Sequence, residues 1–255
     1  MCRHLAYLGP MATLRSVIVD PPYGLSRQAW APRRQRYGTM NADGFGVGWY
    51  ADGDPDPARY RHPGPIWGDE SFADLARVTS AGAMLAAVRS ATEGTDHGAA
   101  AIAPFASGPW LFSHNGRVDG WPGSVAGLAA TLPAEALLRL EARVDSALVW
   151  ALALDRLRRG RTLAESLTDV VGMLRAAGVT GRFNFLLTDG QAIAATAAGD
   201  TLWYRRADDG VTVASEPGDD DAGWVEVPDD HVLTAVPSMV DVRPLSALTE
   251  GVSVR

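Results

Sequence analysis

Cys2 is the one cysteine of this 255-residue chain, and it stands directly behind the initiator Met1. Cysteine is small enough for Met1 to be removed during synthesis, which would leave a thiol and a free α-amine on one residue. Unperturbed, a thiol titrates at about pH 8.5 and an α-amine at about 7.7–8.0. Near neutral pH the two can exchange a proton, so one residue could supply both nucleophile and base for acyl transfer. An incidental cysteine near a frayed terminus would look the same, and position alone does not separate the two.

Three further segments hold residue types that chemistry can use. Asn41-Ala42-Asp43-Gly44-Phe45-Gly46-Val47-Gly48-Trp49 alternates glycine with bulky residues, leaving one strand face nearly bare. Glycine in a strand often marks a close approach of backbone or ligand. Arg89-Ser90-Ala91-Thr92 and Ser113-His114-Asn115-Gly116 each read as the end of a strand. Together with Cys2-Arg3-His4-Leu5, and in this order, they resemble the class II glutamine amidotransferase branch of the N-terminal-nucleophile hydrolases. The resemblance runs to about Gly190, and Ala214-Ser215-Glu216-Pro217 adds a further match.

That resemblance implies a role for each matching residue. Cys2 would be the nucleophile, and the Asn115 side chain and the Gly116 backbone N–H would hold the oxyanion. Losing one such donor typically costs about 2.7–4 kcal/mol of transition-state stabilisation. An Asn-Gly pair is also a common turn. Arg89 would grip the substrate carboxylate with its planar fork, helped by the Thr92 hydroxyl; otherwise it forms a surface ion pair. Asp145 would meet the substrate ammonium, although its place at a helix start also suits an N-cap.

The chain departs from the common His-Thr-Arg-Trp-Ala-Thr motif. Ala87, Val88 and Ser90 replace its first, second and fourth residues, and Glu93 stands where a histidine often follows. A glutamyl clamp survives these changes, whereas free glutamine is not the expected natural substrate. Likeness at Asp20 to Leu25, at Trp30 to Gln35 and at Met40 to Trp49 points to a branch that hydrolyses a small linear γ-glutamyl amide through a Cys2 thioester. No metal or organic cofactor is implied. Two other readings stand beside it: a glutaminase subunit feeding a separate synthetase, and a catalytically silent interaction module. The intact set Cys2, Arg89, Asn115 and Asp145 argues against the last. Tyr23, Trp30, Trp67 and Trp121 lie in irregular segments where a ring could face a cationic leaving group, or simply pack. His4 shares a strand face with Cys2 by period two, as a tuning group or as core.

The elements that must position these residues read as follows. Strands are expected at Cys2 to Gly9, Gly44 to Tyr50, Arg59 to His62, Met84 to Arg89 and Trp110 to His114. Helices are expected at Ser71 to Ser80, Asp145 to Arg159 and Leu163 to Ala177, and short strands fill the remainder. Strands, a helix pair and strands again suggest two sheets with helices on their outer faces. With the resemblance, the expected fold is α+β: a four-layer αββα sandwich of one domain, 1–255, with two mainly antiparallel sheets between helical layers. All 23 basic residues are arginine, which excludes lysine Schiff-base chemistry. A net charge of −7 argues against a nucleic-acid or anionic-membrane surface. The five histidines show no metal-ligand spacing with Cys2. No basic region followed by an apolar run opens the chain, so a reducing cytoplasm is expected. Homo-oligomers remain open.

Overall fold

The computed structural model describes residues 2–92 and 94–248. Met1 and Glu93 lie outside the described residues, and with them the expectations of Met1 removal and of Glu93 replacing a histidine. In chain order the first elements are β1 (Arg3–Thr13), α1 (Leu14–Ile18), α2 (Leu25–Gln28), β2 (Phe45–Trp49), β3 (Ala58–His62), α3 (Glu70–Val78), β4 (Ser80–Val88) and β5 (Phe105–Ser107). Then come β6 (Trp110–Val118), α4 (Ala126–Ala129), α5 (Ala134–Leu138), α6 (Asp145–Arg158), α7 (Leu163–Ala176), β7 (Gly181–Thr188) and β8 (Ile193–Ala197). The chain closes with β9 (Trp203–Ala207), β10 (Gly210–Ala214), β11 (Trp224–Glu226), β12 (His231–Val236) and β13 (Met239–Pro244).

One sheet has the order β11-β9-β10-β1-β4-β2-β3 and the other β13-β12-β8-β7-β6-β5. Successive residues of a strand point to opposite faces, and this alternation sorts the core into three layers. Ala6 and Leu8 of β1 and Leu85 of β4 meet Leu111, Leu186 and Ala195 of the second sheet. The alternate residues Leu5, Phe45 and Val88 pack outward against Leu14, Ile18, Leu25 and Phe72 of the first three helices. On the far side, Phe112 and Phe185 pack against Leu148 and Leu152 of α6 and Val171 and Leu174 of α7. The result is α+β, helix–sheet–sheet–helix, with antiparallel pairing at the centre of both sheets.

Several boundaries differ from the sequence reading, each for a physical reason. β1 runs through Gly9-Pro10, because a register shift between Leu8 and Ala12 absorbs the irregularity. α3 is capped by Asp69, whose Oδ1 accepts the Phe72 N–H at 3.0 Å, so Ser71 lies inside the helix. Ser80 therefore starts β4. β6 does not end at His114: β7 pairs with it residue by residue as far as Val118, opposite Gly181. Asn115-Gly116 is thus strand, not turn. α7 opens on a capping box formed by Thr162 and Glu165.

Candidate active site

Cys2 directly precedes β1 and is partly exposed. β1 lies between β10 and β4, and its pairing of Arg3 with Val88 carries Cys2 toward Arg89. One bond docks this end of the strand on the opposite sheet: His4 Nδ1 lies 3.2 Å from Ser113 Oγ of β6. His4 is fully buried, and its pKa is pushed down to about 3, first by burial and then by His114 and the Arg3 charge. It is a neutral strut two residues beyond Cys2.

The proposed oxyanion donors occupy adjacent residues of β6. Asn115 is fully buried, with Nδ2 at 3.3 Å from Ser215 Oγ and 3.4 Å from Asp200 Oδ2. An ionised carboxylate only accepts, so its contact fixes which end of the amide faces it. The direction of the Gly116 N–H follows from ladder alternation. Phe183 donates to the carbonyl of Ala198, the residue after β8, so Asn184 faces β6 and pairs with Asn115. Gly116 then points off the other edge of β6, where β5 has already ended opposite Phe112. Val118, two residues on, uses that same edge to donate to Asp145 Oδ2 at 2.9 Å. Gly116 is also required as glycine, because a Cβ there would overlap the Arg182 carbonyl and His114 Nε2. His114 Nε2 lies 2.8 Å from that carbonyl and must carry the hydrogen, leaving Nδ1 to accept from Ser146 Oγ at 3.3 Å. Burial lowers the His114 pKa against the opposing pull of Asp145.

Arg89 leaves the end of β4 held at both backbone atoms: its N–H donates to Gly44 at 2.7 Å, and its carbonyl accepts from Asp43 at 2.9 Å. The Asp43 carboxylate in turn takes the Ala91 N–H at 2.8 Å. The Arg89 residue is only 7% exposed. Its Nη2 donates to Thr95 Oγ1 at 3.2 Å and to the Asp96 carbonyl at 2.8 Å, while Nη1 is buried with no hydrogen-bond partner. No carboxylate among the described residues pairs with it. A buried cation with a spare donor is costly unless an anion joins it. The hydroxyl beside Arg89 belongs to Thr95; Thr92 is exposed and offers its carbonyl to Thr95 instead.

Asp145 is the first residue of α6, not its cap, which is Val144. It is 8% exposed; Oδ2 takes the Val118 N–H and Oδ1 the Ser146 N–H at 2.8 Å, with no cation paired among the described residues. Asp96 links the two lone charges: its carbonyl receives Arg89, and its Oδ2 receives the Arg143 N–H at 2.7 Å, two residues before Asp145. An unpaired cation and an unpaired anion joined through one loop complement the carboxylate and ammonium of an amino-acid head.

The bare face of β2 is filled by protein. A Cβ at Gly46 would overlap the Ala103 carbonyl, and one at Gly48 would lie 2.6 Å from Leu111 Cδ1. Of the aromatics singled out in sequence, Trp30 and Tyr23 already carry arginines over their rings, Arg27 at 3.6 Å and Arg33 at 3.9 Å. Trp67 sits beside α3 with Arg15 and Val19, and Trp121 packs against the α6 and α7 core. A cavity of about 420 Å3 lined by Phe105, Trp150, Leu154 and Arg158 lies on the helical side of the second sheet, away from Cys2. Sequence reasoning missed Thr95, Asp96 and Asp200; Ser215 lay inside the matching Ala214 to Pro217 segment, with no role attached.

A family model described as class II glutamine amidotransferases matches residues 11–222. The chain is 44% identical over 249 residues to the gamma-glutamyl-hercynylcysteine sulfoxide hydrolase of Mycolicibacterium smegmatis, covering 96% of this chain and 100% of that protein. It is 42% identical over 245 residues to the hydrolase of the same name from Mycobacterium tuberculosis, covering 96% and 97%. Among solved structures, a glutamine aminotransferase class-II domain protein from Silicibacter pomeroyi aligns with a TM-score of 0.66 at 26% identity, covering 96% of this chain and 99% of that one.

Proposed function

The chain belongs to the class II glutamine amidotransferases, and from that membership we propose that it hydrolyses the γ-glutamyl amide of γ-glutamyl hercynylcysteine S-oxide. The products are glutamate and hercynylcysteine S-oxide, a step of ergothioneine biosynthesis. The observation that carries the reading is the 44% identity, over 96% of the chain, to a hydrolase named for that substrate. Arg89 and Asp145, which form no ion pair among the described residues, support it, since a γ-glutamyl group ends in an α-carboxylate and an α-ammonium.

In the proposed mechanism the Cys2 thiol yields its proton to its own α-amine, freed by loss of Met1. The sulfur attacks the γ-carbonyl, and the oxygen becomes an anion facing Asn115 Nδ2 and the Gly116 N–H. The α-ammonium protonates the leaving amine as the C–N bond breaks, giving the γ-glutamyl thioester. The amine then takes a proton from water, which attacks the thioester; glutamate departs and the thiol is restored. Arg89 Nη1 holds the substrate carboxylate throughout, and Asp145 the ammonium. No helix among the described residues is long and apolar enough to cross a membrane; the reducing cytoplasm is the compartment proposed for a lone catalytic thiol.

The test compares turnover of γ-glutamyl hercynylcysteine S-oxide with that of glutamine. A kcat/KM preference of about 100-fold or more for the former is expected, about 2.7 kcal/mol of transition-state discrimination. Glutamine hydrolysis at the higher rate would transfer the chain to the ammonia-supplying reading. Cys2→Ala should abolish both.

A further inference from the structure

We propose that Ser215 and Asp200 are positioning residues that fix the distance and orientation of the Asn115 amide relative to Cys2. The inference rests on the acyl-transfer reading above and goes beyond it by assigning two residues outside the four site segments.

Two bridges start on β1, directly after Cys2, and end on the same nitrogen. The first passes through Ser215, the residue after β10. Its N–H donates to the His4 carbonyl at 3.0 Å, and its Oγ accepts the His4 N–H at 3.0 Å, so it grips the residue two places beyond the nucleophile. That same Oγ accepts Asn115 Nδ2 at 3.3 Å, across the gap between the sheets. The second bridge passes through Asp200. Arg3, the neighbour of Cys2, lies with Nη1 at 3.8 Å from Asp200 Oδ2, both side chains fully buried, and Oδ2 is 3.4 Å from Asn115 Nδ2. Asp200 is itself anchored: its N–H donates to Asn184 Oδ1 at 3.1 Å, and its carbonyl accepts Asn184 Nδ2 at 2.9 Å. Asn184 is the ladder partner of Asn115.

Ser215 and Asn115 are fully buried, so bulk water does not substitute for either contact. Turning the amide over would set Asn115 Oδ1 against the Asp200 carboxylate, which repels it; the donor end therefore faces Asp200 and Ser215. In the proposed arrangement one N–H is shared between these two acceptors and the other is kept for the substrate oxygen. An oxyanion donor works by being fixed before charge develops, and these contacts fix it.

The test uses processed full-length protein and γ-glutamyl-p-nitroanilide, a chromogenic amide that removes leaving-group preference from the readout. Asn115→Ala should lower kcat about 10²–10³-fold. Ser215→Ala should lower kcat about 10–30-fold with KM held within about twofold, because only the transition state feels the displaced amide. Alkylation of Cys2 by iodoacetamide, which forms no oxyanion, should keep its wild-type rate in Ser215→Ala. In the Asn115→Ala background, Ser215→Ala and Asp200→Asn should each change kcat by less than about twofold, since they act through a side chain already removed. Asp200→Asn leaves Arg3 without its counter-charge, so Ser215→Ala is the decisive variant. Wild-type kcat in Ser215→Ala, or the same fold-loss with and without Asn115, overturns the positioning role while the acyl-transfer site stands. Full activity in Asn115→Ala would strike at that site itself and take this inference with it.

Discussion

The Arg89 guanidinium shows how a residue's type can be legible while its setting is not. The family resemblance implied a carboxylate clamp at Arg89, and the side chain is buried, with Nη1 left without a partner among the described residues. Which hydroxyl braces it could not be read from spacing. Thr92 and Thr95 lie three residues apart in an irregular loop without a fixed period, and only the folded loop turns Thr95 inward. Asp145 was readable as a helix-start acid, but its bond to the Val118 N–H depends on β6 reaching that far. The proposed clamp makes a prediction at this scale. Arg89→Lys keeps the charge but loses the fork that lets Nη2 stay on Thr95 and Asp96 while Nη1 is left for the proposed substrate carboxylate. KM should rise about 10–100-fold, the loss of a charge-assisted hydrogen bond worth roughly 1.5–3 kcal/mol, with kcat changed much less. Steady-state kinetics check it, and an unchanged KM would remove Arg89 from the clamp.

β6 is the element on which the proposed donor pair depends, and its C-terminal half is where local propensity misled. Asparagine and glycine disfavour strands, so a sequence reading stops at His114. Pairing with β7 overrides that preference and extends the strand to Val118. The consequence for the site is large: on a continuous strand Asn115 and Gly116 present their backbones to opposite edges, which frees one N–H and anchors the other residue. By contrast α6 and α7 end within one residue of the expected Asp145 to Arg159 and Leu163 to Ala177, because residues that open a helix, such as Thr162, are local signals. Gly116→Ala tests the packing of this strand. The new Cβ has no space between the Arg182 carbonyl and His114, so β6 and β7 must separate or His114 must leave. Overpacking of this kind typically costs about 1–3 kcal/mol. Urea unfolding should show that loss together with reduced turnover, whereas wild-type stability would mean that the pairing yields at no cost.

For the molecule as a whole, the alternating patterns announced two sheets flanked by helices, but not which strands lie side by side. The pairing of β1 with β10, and Ser215 beside His4, join positions more than 200 residues apart, and no local rule encodes such a pairing. The interface between the sheets nevertheless imposes a measurable property on the entire fold. His4 spans it to Ser113, and His114 lies on the next strand position, both withdrawn from water. Unfolded, each imidazole takes a proton near its ordinary value of 6.5; folded, His4 resists until about 3, and burial lowers His114 in the same direction. Between those values the unfolded chain binds more protons, so the stability these groups contribute is complete above pH 6.5 and is lost progressively as pH falls toward 3. Each imidazole can add a slope of at most about 1.4 kcal/mol per pH unit. Carboxylates held below their ordinary range, such as Asp69, Glu165 and Asp219, act in the same sense only nearer pH 4, so the histidines dominate between 6.5 and 5. Urea midpoints should therefore be level from pH 8 to 7 and fall between 6.5 and 5, beyond the unfolded imidazole range. His4→Asn, whose amide can still reach Ser113, should flatten that fall; a slope identical to wild type would show that the inter-sheet imidazole is not its source.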